Sequence, residues 1–196
     1  HIMRKLFMGT GEIALPSFRM MAQEGDLAGL VTQPDRPVGR SAKPCPPRIK
    51  EAATGLGVPV VQPEKVREEE GFAAVAALEP DLIVVMAYGQ ILPRELLEMP
   101  RYGCINVHAS LLPRHRGASC IQAAIEAGDP ETGISIIYMK EDLDTGDVIT
   151  RQAVPLHPDD TGGIVHDRLA EFAPVVLKEC LDGIAGGDVS RNPQDD

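Results

Sequence analysis

Leu82-Ile-Val-Val-Met86 is five apolar residues in a row, three of them β-branched. A strand with one wet face alternates polar and apolar residues. A run that is apolar throughout belongs in the middle of a parallel sheet covered on both faces. Working outward from it, Lys5-Leu-Phe-Met8, Leu27–Thr32, Val58–Val61 and Cys104–His108 read as further strands. Helical spacing fills the gaps: Ile13–Glu24 places Leu15, Phe18 and Ala22 on one face, and 47–55, 67–78 and 93–99 follow. This alternation predicts an α/β fold with an open, mostly parallel sheet, helices on both faces and right-handed crossovers.

After residue 116 the pattern changes. Ser119–Ala127 reads as a helix stopped by Gly128-Asp-Pro130, and Gly133–Met139 and Val148–Val154 read as two strands joined by the acidic loop Lys140–Asp147. Asp159-Asp160-Thr161 offers capping oxygens for a long helix over 162–181. The segment 187–196 is rich in Gly, Asp, Asn and Pro and reads as a linker, and His1-Ile2 before Met3 reads as an artificial remnant ahead of a natural start at Met3. Residues 3–186 are therefore the expected folded domain.

The 196 residues carry 19 Lys+Arg and 29 Asp+Glu, a net charge of −10. So acidic an average argues against general nucleic-acid binding, because phosphates must be met by Lys and Arg. The charge is uneven, however. Residues 1–116 are net +1 and residues 117–196 net −11, and within 33–50 Arg36, Arg40, Lys43, Arg48 and Lys50 face Asp35 alone. That basic segment also holds Pro34, Pro37, Pro44, Pro46 and Pro47, a long connection of the kind that is usually functional. Four cysteines lie far apart with no C-x-x-C pair, which reads as reduced thiols in a cytoplasmic protein. No apolar run reaches the ~20 residues needed to span a bilayer. His115, His157 and His166 have no metal-ligand spacing, so no metal site is expected.

Three motifs could carry chemistry. Gly9-Thr-Gly11-Glu-Ile-Ala14 fits a dinucleotide turn, with Asp35 as a ribose-binding acid, or a plain strand-to-helix turn. Asn106 and His108 share one side of a strand at its carboxyl end, where α/β sheets bind ligands. An amide donor beside an imidazole suits acyl-type chemistry, holding a carbonyl oxygen as it gains charge and moving protons. Leu143-Asp-Thr-Gly-Asp147 is by itself a turn, although Asp144 near His108 would orient and charge the imidazole.

Taken together, Cys104-Ile-Asn-Val-His-Ala-Ser-Leu-Leu-Pro-Arg-His-Arg-Gly117, Glu131-Thr-Gly133 and Leu143–Asp147 resemble the formyltransferase family that uses 10-formyltetrahydrofolate. Phe7-Met-Gly-Thr10, Val31–Arg40, Val84–Pro93 and Arg101–Asn106 resemble the branch of that family acting on initiator tRNA, from Met3 to the final helix. The resemblance implies a Rossmann-like fold. It also implies transfer of a formyl group from the folate to the α-amino group of methionine on initiator methionyl-tRNA. By the same resemblance Asn106, His108 and Asp144 are the catalytic trio: Asn106 holds the formyl oxygen, His108 stabilises the tetrahedral intermediate, and Asp144 orients and charges His108. Ser110, Leu111, Leu112 and Pro113 match the folate-associated signature, and Tyr88, Gln90, Ile91, Leu92 and Leu143 would wall the pterin. Arg36, Arg40 and Lys43 match the segment entering the acceptor stem, with Arg40 as the base-pair wedge. The chain has Gly11 where the family commonly has Pro, and Ser119-Cys120 where it commonly has Ala-Pro. The resemblance further implies that 187–196 leads toward a β-rich domain, that the enzyme is a monomer without a metal, and that no membrane is a partner. Two alternatives stay open: a folate-dependent formyltransferase acting on an amino sugar or small amine, and an NAD(P)-dependent oxidoreductase built on Gly9–Ala14.

Overall fold

A computed structural model describes residues 2–40 and 42–195. His1 of the expected artificial remnant, Ser41 of the basic segment and Asp196 of the expected linker lie outside the described residues. The chain divides into two compact units, His1–Cys104 and Ile105–Asp196.

The first unit is parallel α/β. Strands β1 (Lys5–Gly9), β2 (Leu27–Val31), β5 (Val60–Val61) and β6 (Leu82–Met86) line up in the order β5-β2-β1-β6, every pairing parallel. Helices α1 (Leu15–Glu24), α2 (Arg48–Gly55) and α3 (Glu69–Ala76) fall between them in the chain, and α4 (Arg94–Glu98) follows β6. All five residues of β6 are buried, as its unbroken apolar run requires. Phe7 of β1 and Phe18 of α1 meet edge to face, ring centres 5.7 Å apart, and Leu6, Met8, Leu30, Ile49 and Leu96 are also fully buried in this unit. Strand β5 is shorter than the apolar run 58–61. Pro59 has no N–H for a ladder, and its carbonyl accepts from Leu30 N at 2.8 Å instead.

The segment 33–47 is not a structureless connection. Strands β3 (Arg36–Pro37) and β4 (Pro44–Cys45) form a short antiparallel hairpin, pairing Arg36 with Cys45 and Pro37 with Pro44. Proline fixes φ at a value compatible with extended backbone and is tolerated on edge strands, so the prolines permit this ribbon. Asp35 anchors its base, accepting from Lys50 Nζ at 3.0 Å and Gln62 Nε2 at 2.7 Å.

The second unit is antiparallel and capped by helices. Strands β7 (Cys104–His108), β8 (Glu131–Tyr138) and β9 (Val148–Pro155) pair in that order. Helix α5 (Cys120–Glu126) precedes β8, and α6 (Gly162–Ala185) packs on β8, β9 and α5. The Thr161 hydroxyl caps α6, accepting from Ile164 N at 3.2 Å. The helix runs four residues past the expected end despite Gly183, because Ile184 is buried in the core. The α/β architecture read from the sequence is thus the one observed, with parallel strands in the first unit and an antiparallel set in the second.

Phe18 fills the centre of the first unit's core. Phe18→Ala is expected to lower the unfolding free energy by about 3–5 kcal/mol, measured by urea denaturation.

Candidate active site

Three side chains of the second unit converge at the carboxyl end of β7. Register on β8 sets Asn106 opposite Ile137 and His108 opposite Ser135, two residues apart and on one side of the strand. The loop between β8 and β9 brings Asp144 to them. Its Oδ1 accepts from Asn106 Nδ2 at 3.3 Å, its Oδ2 accepts from the backbone N–H of Gly117 at 2.8 Å, and Oδ2 lies 3.7 Å from His108 Nδ1. His108 and Asp144 are each only 7% exposed, so little water screens this pair.

Two features of backbone let the loop reach inward. Asp144 has φ of +54°, a left-handed conformation that costs a non-glycine residue of order 1 kcal/mol and recurs at functional sites. Gly146 passes so close to β8 that a Cβ there would overlap the Tyr138 carbonyl, so only glycine fits. Leu143 remains 67% exposed on the outer side of the loop.

His108 is held at its other nitrogen, where Nε2 donates to the His115 carbonyl at 3.0 Å. Nδ1 is then the nitrogen that faces Asp144. Burial disfavours the charged imidazole. A hydrogen bond and charge at Cys120, the Asp144 carboxylate and the His115 carbonyl favour it, and the balance lies above histidine's ordinary value. His115 adopts φ of +58°, and its ring pairs with Asp129 at 2.7 Å. Arg114 Nε also donates to Asp129 at 2.8 Å, and these two partners hold the Asp129 carboxyl far below the usual carboxylate range.

Ser110–Pro113 is braced from within. The Ser110 hydroxyl donates to the Arg114 carbonyl at 2.7 Å, Ser135 Oγ donates to the Ser110 carbonyl at 2.6 Å, and Leu112 N donates to Ser135 Oγ at 2.9 Å. Leu112 is a core residue packed with Ile137 and Val148, while Pro113 is exposed after a cis peptide bond. Leu111 lines a cavity of about 270 Å³ with Arg114, His115, Asp129 and Thr132.

The first unit has its own convergence at the carboxyl ends of β1, β2 and β6. Thr10 N and Gly11 N both donate to the Ala87 carbonyl, at 2.9 and 3.0 Å. The Thr10 hydroxyl donates to Tyr88 O at 2.8 Å and accepts from Gln33 N at 3.1 Å. The glycine turn therefore spends these two N–H groups on the next strand rather than offering them to a pyrophosphate. Asp35, the ribose-binding acid of that alternative, is taken up by Gln62 and Lys50, which lower its pKa. Gln90 ties neighbouring loops: its Oε1 accepts from Val66 N at 2.7 Å and its Nε2 donates to Gln33 Oε1 at 2.8 Å. Leu92 is buried and Ile91 is 79% exposed. The Tyr88 hydroxyl is buried with no partner among the described residues, and burial pushes its pKa up to about 12, so it stays a neutral donor. Arg36, Arg40 and Lys43 are all exposed on the hairpin segment.

Sequence reasoning missed the Gly117 amide and the His115 carbonyl, since backbone groups leave no residue-type signal. It also missed Gln33 and Gln194, whose amides are spent on loop contacts. Among the described residues no group of three or more His, Cys, Asp or Glu could hold a metal ion, and no helix is long and apolar enough to cross a membrane.

The model of the family described as formyl transferase matches residues 8–181. A methionyl-tRNA formyltransferase of Akkermansia muciniphila is 53% identical over 189 residues, 96% of this chain and 60% of that protein. The chain spans about three-fifths of the length of the curated relatives it matches. Among solved structures, phosphoribosylglycinamide formyltransferase of Streptococcus pneumoniae superposes with a TM-score of 0.73 at 25% identity, covering 92% of this chain and 99% of that one. An N-formyltransferase of Helicobacter canadensis, solved with folinic acid and dTDP-3-aminofucose, shares the fold at a TM-score of 0.71 and 15% identity, covering 100% of this chain and 68% of that one.

The surroundings of His108 make a pH prediction. Its raised pKa contributes stability that is complete below the unfolded value near ~6.5 and is lost as pH rises through the folded value. NMR titration of the His108 ring is expected to give a midpoint above that of free histidine. A midpoint at or below it would mean that Cys120, Asp144 and the His115 carbonyl together do not outweigh burial.

Proposed function

The chain belongs to the formyl transferase family, and on that premise we propose that it carries a formyl group from 10-formyltetrahydrofolate to the α-amino group of methionine on initiator methionyl-tRNA. The observation that carries the reading is the convergence of Asn106, His108 and Asp144, an amide donor, an imidazole and a carboxylate that faces it. The relatives at 46–53% identity, named for this activity, support the choice of acceptor. With it goes a place in translation initiation, and a cytoplasmic location.

The folate supplies the formyl group as an activated amide. Asn106 has two N–H groups on its side-chain nitrogen, one directed at Asp144 and the other available to the formyl oxygen. That donor is worth most as the oxygen gains charge during addition of the acceptor amine. Protonated His108 stabilises the same charge, and Asp144 keeps the ring oriented and cationic. The new N–C bond forms at the acceptor, the bond to the folate nitrogen breaks, and the proton lost by the amine passes to that nitrogen through water held by His108 and Asp144.

For the folate, the chain offers the residues expected from the resemblance. Exposed Ile91 in the first unit and exposed Leu143 in the second are each apolar surface suited to a flat ring, and buried Tyr88 shapes the first unit's loop. Ser110, Leu112 and Gln90 are engaged within the protein, so their contribution is to shape loops rather than to touch ligand through their side chains. For the tRNA, exposed Arg36, Arg40 and Lys43 on the hairpin meet phosphates of the acceptor stem, with Arg40 as wedge.

His108→Ala or Asp144→Ala is expected to slow formylation of charged initiator tRNA by about 10²–10⁴-fold, the usual weight of a general acid–base group. Near-normal turnover in either variant overturns the roles assigned. Arg40→Ala is expected to raise KM for the tRNA while leaving folate binding unchanged, with a shallower dependence of binding on salt. Equal rates with small amines and with charged tRNA would remove the tRNA as acceptor.

A further inference from the structure

The loop that presents Asp144 is not held by its own strands alone. After α6 the chain turns back across the β8–β9 hairpin. Asn192 bridges to Val148, with N–H to carbonyl bonds of 2.8 and 2.9 Å in both directions. The Arg191 guanidinium lies 4.1 Å over the Tyr138 ring and 3.4 Å from Asp147. Gln194 then sits against the candidate site. Its Nε2 donates to the carbonyls of Asp144 and Gly146, each at 2.8 Å. Its Oε1 accepts from Arg116 Nη2 at 3.0 Å and from Nε at 3.4 Å.

Every polar atom of one amide is thus used to join two loops. One loop carries Asp144. The other, 114–117, supplies the Gly117 N–H that bonds the Asp144 carboxylate and the His115 carbonyl that accepts from His108. Asp144 sits in a left-handed conformation that its neighbours must over-determine, and its carbonyl is one of the two that Gln194 holds. We propose that Gln194 is a positioning residue for formyl transfer: by clamping the 144–146 carbonyls to Arg116 it holds the Asp144 carboxylate at His108 and Asn106. This rests on the catalytic roles proposed above. Gln194 touches no substrate in this scheme and acts only through Asp144.

Two near-isosteric variants separate positioning from packing. Gln194→Glu keeps an acceptor for Arg116 but turns an oxygen toward the two carbonyls. Gln194→Met keeps the volume and removes every polar bond. Both are expected to lower kcat by about 10–100-fold, the scale of a small misplacement of a reacting group, with KM for folate nearly unchanged. The acidic shift of the His108 midpoint in the pH profile is the second expected result, since the carboxylate that charges the ring is released. A third readout needs no activity: hydrogen exchange at the Gly117 amide, which donates to Asp144, should accelerate while exchange in the core of α6 does not.

Wild-type kcat and wild-type Gly117 exchange in either folded variant overturn the proposal. Loss of exchange protection throughout the unit, with kcat per folded molecule unchanged, overturns it as well, because it marks Gln194 as a packing residue. If the unaltered chain transfers no formyl group to charged tRNA or to small amines, the proposed function fails. Gly117 exchange and the His108 NMR titration then still decide whether Gln194 positions the carboxylate.

Discussion

A buried carboxylate opposite a buried imidazole is a demanding arrangement, and the second unit is built around keeping Asp144 hydrogen-bonded and in place. Taking a carboxylate out of water is costly unless its oxygens are bonded. Here one oxygen accepts from an amide side chain and the other from a backbone N–H, with the imidazole nearby. Two of these contacts come from β7 and one from the loop after it, while the carboxylate itself comes from the β8–β9 connection. None of these segments could move alone without leaving a buried charge short of a partner. The left-handed backbone at Asp144 and the glycine at 146 follow from the same requirement, because a chain that must drop a side chain inward over a strand has few conformations open to it.

The first unit solves a different problem with similar means. Its loops at the ends of β1, β2 and β6 are woven together by Thr10, Gln33 and Gln90, three polar side chains that bond to backbone or to one another. The turn's own N–H groups at Thr10 and Gly11 are spent separately, on the Ala87 carbonyl, and are not offered to a phosphate. The Gly-x-Gly spacing therefore reports close approach of two backbones, at Gly9 against Met86 and at Gly11 against Ala87, rather than a phosphate cradle.

Periodicity revealed most of the fold because burial decides periodicity. The strands read at Leu82–Met86 and Cys104–His108 coincide with β6 and β7. Where the sequence reading slipped, a bond formed elsewhere had overridden local preference. Val66 N is held by Gln90, so α3 starts later than its pattern, and Pro59 shortens β5. Strand alternation put Asn106 and His108 together. Asp144 lies 36 residues beyond His108, and only its resemblance to a known pattern joined it to them. Gln194 carried no signal, since a polar residue in a Gly-, Asp- and Pro-rich stretch looks like linker until its partners are seen.

The proline-laced hairpin has a thermodynamic side. Proline at 37 and 44 on the paired strands, and at 34, 46 and 47 beside them, restricts φ in the unbound protein as much as in any complex. An arm of five prolines has little backbone entropy left to lose when it meets a partner. Were the hairpin to meet the acceptor stem as proposed, the ordering cost that weakens most loop-mediated recognition would already be met during folding. A glycine-rich arm of equal charge would reach as far and hold less tightly.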